Sequence, residues 1–213
     1  MSNASLRGDL IVLVPCANME HAIRGVLSRT DSLRIRPVRC HLLKHPHRDA
    51  GCRLRGADLL RRYVSTYRHA LILLDREGSG KDELSRDALE REIGDRLSRS
   101  GWGDRGEAIV IDPELEIWVW SDSPEVDNTL GWRGRRPALR AWLVEEGLLA
   151  EGQSKPDRPK EALAEALFVV RKPPTSALFL ELAKTVSLQR CQDPAFLKLK
   201  RVLQEWFGLR RGE

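Results

Sequence analysis

The stretch Ala70-Leu-Ile-Leu-Leu-Asp-Arg-Glu-Gly-Ser-Gly80 decides the fold class of this 213-residue chain. Its first five residues form a continuous apolar run that ends abruptly at Asp75 and a glycine-containing turn. Such a run is typical of a strand buried on both faces, as in a parallel sheet. The run Leu10–Val14 has the same character and stops at Pro15. The sequence therefore predicts two buried strands, over residues 10–14 and 70–74.

Helices are predicted between the strands, because apolar residues recur there at intervals of three and four. They cover residues 19–27, 57–67 and 83–98, and two more strands are predicted at residues 33–38 and 108–111. Pro37 interrupts the weaker of these strands, which places it at an edge of the sheet. Asn18 is expected to cap the first helix, and Asp112 to cap a helix that begins at Pro113. A long polar loop is expected over residues 41–51.

Strands that alternate with helices predict an α/β fold with a mostly parallel four-stranded sheet flanked by helices. After Ser121 only helical spacing remains, so the C-terminal half is expected to be all-helical, with helices near 137–146, 159–170, 176–186 and 193–207. The predicted organisation is an N-terminal tail (1–8), an α/β domain (9–122) and a helical region packed on it (123–213). Residues 152–159 are the expected linker.

The composition excludes several classes of protein. Hydrophobic residues make up 41% and charged residues 31% of the chain, so a core can form and wholesale disorder is excluded. No apolar run approaches the roughly 20 residues that cross a bilayer, so we expect no membrane partner. The four cysteines are scattered, which argues against a disulfide framework. We therefore expect a cytoplasmic protein in a reducing compartment.

Charge is unevenly distributed although the net charge is only +5. Residues 24–68 hold twelve basic and three acidic side chains, whereas residues 75–125 hold fifteen acidic and seven basic ones. This order suits a surface that grips phosphates beside carboxylates that hold a cation. The alternative is that the charges form solvated helix faces, since 28 of the 36 basic residues are arginine, as coding bias alone can produce.

Acidic residues follow the predicted strands. Asp75 and Glu77 come directly after one strand, Glu114 and Glu116 after another, and Glu20 lies in the first turn after strand 10–14. In an open parallel sheet the carboxyl ends of the strands meet at one edge, where function gathers. Carboxylate oxygens from separate strands are the ligands of Mg²⁺ or Mn²⁺, which neutralise phosphate oxygens and activate water.

At these residues the chain resembles the Toprim-like proteins, which include topoisomerase and primase catalytic domains and OLD-type nucleases. In particular it is similar to small uncharacterised bacterial Toprim-related proteins, some encoded beside methylation-associated phage-defence systems. The resemblance covers about residues 9–122. Asp75-Arg76-Glu77 stands at the family's Asp-x-Asp, and Asp112–Glu116 at its later acidic element. The first family element, a Glu-Gly turn, is missing, because Pro15 stands there and only Glu20 is nearby.

The resemblance implies a Mg²⁺- or Mn²⁺-dependent, nuclease-like phosphodiester function on nucleic acid in bacterial anti-phage defence, with possible protein partners from the same system. Asp75, Glu77 and Glu116 are expected to hold the metal, with Glu20 or Glu114 completing its shell. Glu20, His45 and His47 are the candidate catalytic residues, the histidines as proton carrier or phosphate contact. Arg48, Arg53 and Arg55 are expected to bind the nucleic-acid backbone. Because the Glu-Gly turn is missing, the alternative is a degenerate Toprim-like scaffold that binds nucleic acid or a partner protein. A third alternative is a metal-free interaction protein that docks through its helical half.

Each of these residues also has an ordinary structural interpretation. Asp75 and Glu77 could be turn residues, Glu114 and Glu116 could favour a helix dipole, and the two histidines could simply be hydrogen-bonded. Two further motifs are present. Gly78–Lys81 lacks the spacing of a phosphate-binding loop, and a zinc site is conceivable at Cys40, His45, His47 and Cys52. Trp118, Trp142 and Trp206 are expected in the core, and Trp102 and Trp132 are expected to be freer.

Overall fold

A four-stranded, all-parallel sheet forms the centre of the computed structural model, which describes residues 7–209. The strands are β1 (Gly8–Val14), β2 (Cys40–Lys44), β3 (Tyr67–Asp75) and β4 (Gly106–Ile111), in the order β2-β1-β3-β4. Every residue of β1 is buried, and so are the apolar residues 70–74 of β3. The two most apolar runs of the sequence are therefore the two central strands, as burial on both faces requires.

Nine α-helices accompany the sheet within the described residues. Their bounds are α1 (Ala17–Leu27), α2 (Thr30–Leu33), α3 (Arg48–Arg61), α4 (Arg86–Leu97), α5 (Pro124–Leu130), α6 (Leu139–Glu145), α7 (Pro159–Val169), α8 (Ser176–Thr185) and α9 (Pro194–Phe207). A 3-10 helix (Leu115–Trp118) follows β4. This arrangement is the predicted α/β fold, and α6 to α9 lie where helical spacing placed them. None of the described helices is long and apolar enough to cross a membrane.

The two faces of the sheet pack against different parts of the chain. One face carries Ile11, Leu13 and Ile72 and packs on α3 and α4. The other carries Leu10, Val12 and Leu71 and packs on α1 and on the helices after residue 123. The second layer is tight where α1 meets α8, since a Cβ on Gly25 would lie 2.6 Å from the Ala183 Cβ. The C-terminal helices thus share one hydrophobic core with the sheet.

The edge strand β2 lies further along the chain than the sequence predicted. Residues 33–38 were expected to form it, but Leu33 ends α2, and Ile35 makes only an isolated antiparallel bridge to Gly208. The edge position itself is correct. The polar loop expected at 41–51 is wrong, because 41–44 belong to β2 and α3 begins at Arg48. Polar side chains can occupy an edge strand because much of it stays in water.

Two predicted helix caps are wrong. Cys16, not Asn18, precedes α1, and the Asn18 side chain instead accepts a 2.8 Å hydrogen bond from the Ser176 hydroxyl. No α-helix begins at Pro113, and Asp112 accepts a 2.7 Å hydrogen bond from Arg76. In both cases a polar side chain found a partner distant in sequence, which local pattern cannot reveal.

The tryptophan predictions were partly wrong. Trp102 and Trp132, expected to be freer, are 1% and 3% exposed. Trp132 lies beside Trp142 with ring centroids 4.8 Å apart, and its indole N–H donates to the carbonyl of Ala166. Trp142 is buried as predicted, while Trp118 and Trp206 pack at the core margin. A neighbouring glycine is therefore no guide to exposure here.

Candidate functional site

An acidic cluster occupies the carboxyl edge of the sheet. Asp75 is the last residue of β3, and its backbone N–H donates a 2.9 Å hydrogen bond to Oδ1 of Asp49, in the first turn of α3. Glu114 and Glu116 follow β4 at the 3-10 helix and are each 7% exposed. We call Asp49, Asp75, Glu114 and Glu116 the acidic rim. Parallel strands bring these residues together because their carboxyl ends point the same way.

The helical region contributes a cation to this rim. Lys160, in the first turn of α7, donates to Glu114 twice: its backbone N–H reaches Oε1 at 3.2 Å and its Nζ reaches Oε2 at 3.2 Å. The ammonium also acts at longer range: burial raises the pKa values of Asp49 and Glu116, and the charge of Lys160 offsets part of that rise. Lys160 is therefore a counter-charge shared by carboxylates from two elements of the α/β half.

The rim carries more negative charge than Lys160 balances. Burial raises the pKa of Asp75 well above its usual range, and the charges of Asp49, Glu116 and Glu114 raise it further. Burial also raises the pKa values of Asp49 and Glu116. Oδ1 of Asp75 is buried and has no hydrogen-bond partner among residues 7–209. Leaving a buried carboxyl oxygen without a partner costs free energy. Such a group marks a site that favours an added cation or hydrogen-bond donor.

The rim fits a divalent cation in chemistry and charge but not in side-chain convergence. Its donors are hard carboxylate oxygens, which suit Mg²⁺ or Mn²⁺, and the Asp75 oxygen is without a partner. Across the described part of the chain, however, no three His, Cys, Asp or Glu side chains stand close enough together to hold one ion. Both oxygens of Glu114 already accept hydrogen bonds from Lys160. A cation would require rim side chains to turn toward a common point.

Two of the carboxylates singled out in the sequence lie outside the rim's hydrogen bonds. Glu20 is paired with Arg24 at 2.9 Å and Lys44 at 3.4 Å; burial opposes ionisation, but these two cations lower its pKa. Glu77 is exposed, and its backbone N–H donates a hydrogen bond to the Pro113 carbonyl. The carboxylates that raise the pKa of Asp75 most, after burial, are Asp49, Glu116 and Glu114.

A thiol lies between the end of β1 and the start of α1, beside the acidic rim. Cys16 follows Pro15 and precedes α1, and its position is close enough to the rim for Asp75 and Asp49 to act on it. Burial raises the pKa of the Cys16 thiol, and the two carboxylates raise it further. The thiol is therefore neutral at pH 7 and supplies neither a charge nor a thiolate nucleophile.

The two histidines lie between β2 and α3. The His45 ring is 5% exposed, and its Nδ1 accepts a 3.1 Å hydrogen bond from the backbone N–H of His47. Burial lowers the pKa of His45, so its ring is neutral at pH 7. His47 is exposed, with its ring centroid 5.8 Å from that of His45. His47 is thus the more accessible of the two predicted proton carriers.

The three arginines proposed to grip a nucleic acid have different surroundings. Arg48 and Arg55 are exposed. Arg53 is 7% exposed, and its guanidinium donates to the Ser79 carbonyl at 2.8 Å and to Glu92 at 2.9 Å. Its donors therefore tie α3 to the loop after β3 and to α4. A buried and paired guanidinium is not available to a phosphate backbone, so Arg53 does not fit the predicted role.

The two cysteines of the conceivable zinc site lie on opposite sides of the sheet. Cys40 packs with the core on the α1 face, whereas Cys52 belongs to the core on the α3 face. Burial raises the pKa of Cys40 to about 12, which opposes the thiolate form that zinc requires. The four side chains do not form a metal centre.

Sequence reasoning gave no role to two members of the site. Asp49 lies within residues 41–51, which were expected to form a polar loop opening on the rim, yet it stands in the first turn of α3 and accepts a hydrogen bond from the Asp75 backbone N–H. A signal was present, because Asp is favoured near helix N-termini. Lys160 carries no comparable signal, since its partner Glu114 is 46 residues away in sequence.

Comparisons of the chain with protein-family models, with curated proteins and with solved structures find no match. The argument for function therefore rests on the chemistry of the acidic rim and the charges around it.

Proposed function

We propose that the acidic rim supports Mg²⁺- or Mn²⁺-dependent phosphodiester chemistry on nucleic acid, as a nuclease-like component of bacterial anti-phage defence. The observation that carries the proposal is the state of Asp75: a half-buried carboxyl at a strand end, beside three other carboxylates, whose Oδ1 is buried and has no partner among the described residues. A divalent cation would neutralise the rim carboxylates more fully than the ammonium of Lys160 does. The Toprim resemblance at residues 9–122 points to the same chemistry.

Roles follow from position. Asp75, Asp49 and Glu116 would hold the cation, which supplies charge neutralisation at a phosphate and an activated water. Lys160 holds Glu114 in place and faces the same rim. The accessible imidazole of His47 is the proton carrier that fits its surroundings best. Arg48 is exposed and lies next to Asp49 in α3, and it would contact a backbone phosphate near the rim.

The second candidate is a scaffold that binds nucleic acid or a partner protein without catalysis. It is favoured by the lack of a convergent ligand set among residues 7–209 and by Cys16 at the end of β1. It is also favoured by Glu20, whose carboxylate is committed to Arg24 and Lys44. In this case the rim would have no catalytic role, and Lys160 would balance part of its negative charge.

One experiment separates the two functions. Thermal unfolding of wild type, Asp75→Asn and the control Glu77→Gln is measured with and without millimolar Mn²⁺, and cleavage of single- and double-stranded DNA and RNA is assayed with the same proteins. The proposal predicts that Mn²⁺ raises the melting temperature of wild type and Glu77→Gln but not of Asp75→Asn, with cleavage lost only in Asp75→Asn. No Mn²⁺ shift and no cleavage in wild type would leave the scaffold as the function.

A further inference from the structure

The amino edge of the sheet, opposite the acidic rim, carries arginines gathered around one buried carboxylate. Asp9, near the start of β1, has a side chain only 6% exposed. Its carboxylate receives Arg36 Nη2 at 3.0 Å, with Arg39 Nε at 3.6 Å and Arg68 Nε at 3.8 Å. The Arg39 backbone N–H adds a 2.9 Å hydrogen bond. Arg36 and Arg39 lie in the connection between α2 and β2, and Arg68 lies in β3, all within the segment that is richest in basic residues.

This cluster holds more positive charge than its carboxylate needs. The hydrogen bond from Arg36 is the main reason that the pKa of Asp9 falls to about 2, so Asp9 carries one full negative charge at pH 7. Three arginines against one carboxylate leave an excess of two positive charges. Their side chains are 43%, 68% and 58% exposed for Arg36, Arg39 and Arg68. The guanidiniums are thus anchored from beneath and open to solvent above.

The surroundings keep this edge positive. Arg105 lies over the Trp102 ring and donates to the carbonyls of Tyr67 and Arg68 at the same edge. His69 is close enough for its pKa to fall to about 4, through burial first and then through Arg105, Arg68 and Arg36. Asp104 is the acid that acts on His69. The charges of Asp104 and Arg105 cancel, so the excess of two positive charges around Asp9 remains.

We propose that Arg36, Arg39 and Arg68 form a binding site for the phosphate backbone of nucleic acid, separate from the acidic rim. Guanidinium forks match phosphate oxygens, and backbone contacts of this kind hold and orient a nucleic acid without reading its sequence. The strands that join the two edges place the cluster roughly 20 Å from the rim. A nucleic acid held there would therefore have to span several nucleotides to reach the rim. The choice of nucleic acid as the anion rests on the proposed function.

The test compares two double variants that remove the same charge. Arg39→Gln/Arg68→Gln removes the two guanidiniums that lie more than 3.5 Å from the Asp9 carboxylate, and leaves the Arg36 guanidinium and the residue 39 backbone N–H to hold it. Arg91→Gln/Arg201→Gln removes two exposed arginines from α4 and α9. Binding of a fluorescently labelled DNA or RNA oligonucleotide is measured by anisotropy against salt concentration, in EDTA so that no cleavage occurs, after melting curves establish that both variants fold.

The expected result is a loss of affinity confined to the first variant, about tenfold or more near 0.1 M salt. The slope of log K against log salt should also become shallower by about 2. Equal losses in both variants, no loss in the first, or no binding by wild type would each overturn the proposal. Stabilisation of wild type by Mn²⁺, measured without nucleic acid, would still report on the rim, so failure of this site and failure of the proposed function are distinguishable.

Discussion

Glu90 and Lys198 close the free edge of β4 as a pair. Their side chains form a 3.1 Å ion pair, while Glu90 Oε1 accepts from the Val110 backbone N–H at 3.0 Å and Lys198 Nζ donates to the Ala108 carbonyl at 2.8 Å. A residue of a fifth parallel strand would donate and accept at these same two backbone groups. A side chain from α4 and one from α9 thus stand in for one residue of a missing strand, and an open edge is a site of aggregation.

We predict that Glu90→Leu/Lys198→Met exposes this edge. The Val110 N–H and Ala108 carbonyl would lose their partners, which costs about 1–3 kcal/mol for each buried group. Urea unfolding should show this loss, hydrogen exchange at Val110 should become faster, and sedimentation velocity should show more association than in wild type. The control is Glu107→Gln, which removes another Lys198 ion pair, 3.0 Å long, but no backbone hydrogen bond. Equal effects of the two changes would show that edge closure is not what the pair provides.

Replacing the Asp75 carboxyl with a neutral amide should stabilise the protein at neutral pH. Its pKa is raised in the folded state, so the folded protein binds more protons than the unfolded chain, and stability falls as pH rises from about 4 toward the folded pKa. Asp75→Asn removes that penalty and should raise the melting temperature at pH 7 by about 3 °C or more, equivalent to about 1 kcal/mol. Calorimetry between pH 4 and pH 8 should show that the melting temperature of Asp75→Asn depends less on pH than that of wild type.

Exposed Glu77, two residues away, is the matched control for this change. Glu77→Gln should leave both the melting temperature and its pH profile within experimental error of wild type, because its side chain faces solvent. A destabilised Asp75→Asn at every pH would mean that the Asp75 carboxylate is held by interactions stronger than the repulsion around it. In that case the rim would not be a site that favours an added cation.

The sequence predicted the fold better than the site, for a physical reason. Burial on both faces makes β1 and β3 continuous apolar runs, and amphipathic packing gives α7 to α9 their helical spacing, so these elements can be read locally. The rim depends on pairs such as Lys160 with Glu114 and Asp49 with Asp75, which local spacing does not encode. The shared location of Asp75, Glu114 and Glu116 at one edge could be predicted because strand ends can be predicted, whereas the surroundings of Glu20 and Arg53 could not be.

The turn into α3 depends on a glycine that His45 covers. A Cβ on Gly51 would lie 2.1 Å from His45 Nδ1 and 2.8 Å from the His47 Cβ. Gly51→Ala should therefore displace His45 and destabilise the protein by about 1–3 kcal/mol, as overpacking does. Gly94→Ala is the matched change, since Gly94 also lies in a helix but has no atom of the described chain within 4 Å of its added Cβ. It should stabilise by about 0.5–1 kcal/mol.

Chemical denaturation of both glycine variants measures these opposite signs. Histidine NMR resonances would show in addition whether His45 has left its buried position. Two stabilised variants would mean that the segment between β2 and α3 adjusts freely, and His45 would then have no fixed place beside the rim.

Lys160→Met tests whether the ammonium from α7 is the counter-charge of the rim. Burial opposes its charge, but the hydrogen bond to Glu114 and the charges of Glu114, Glu116 and Asp75 raise the pKa of Lys160, so it is charged at pH 7. Its loss should destabilise the protein by about 1–2 kcal/mol at pH 7 and by less near pH 4, where protonated carboxyls no longer repel one another.

The same substitution should change the response to a cation. With its internal positive charge removed, the rim should bind Mn²⁺ more tightly, so the melting temperature of Lys160→Met should rise more with Mn²⁺ than that of wild type. Arg158→Gln is the control, because Arg158 pairs with exposed Glu161 at 2.7 Å just outside the rim. If Lys160→Met and Arg158→Gln behave alike at both pH values and in Mn²⁺, the ammonium does not balance the rim, and Glu114 alone is what it holds.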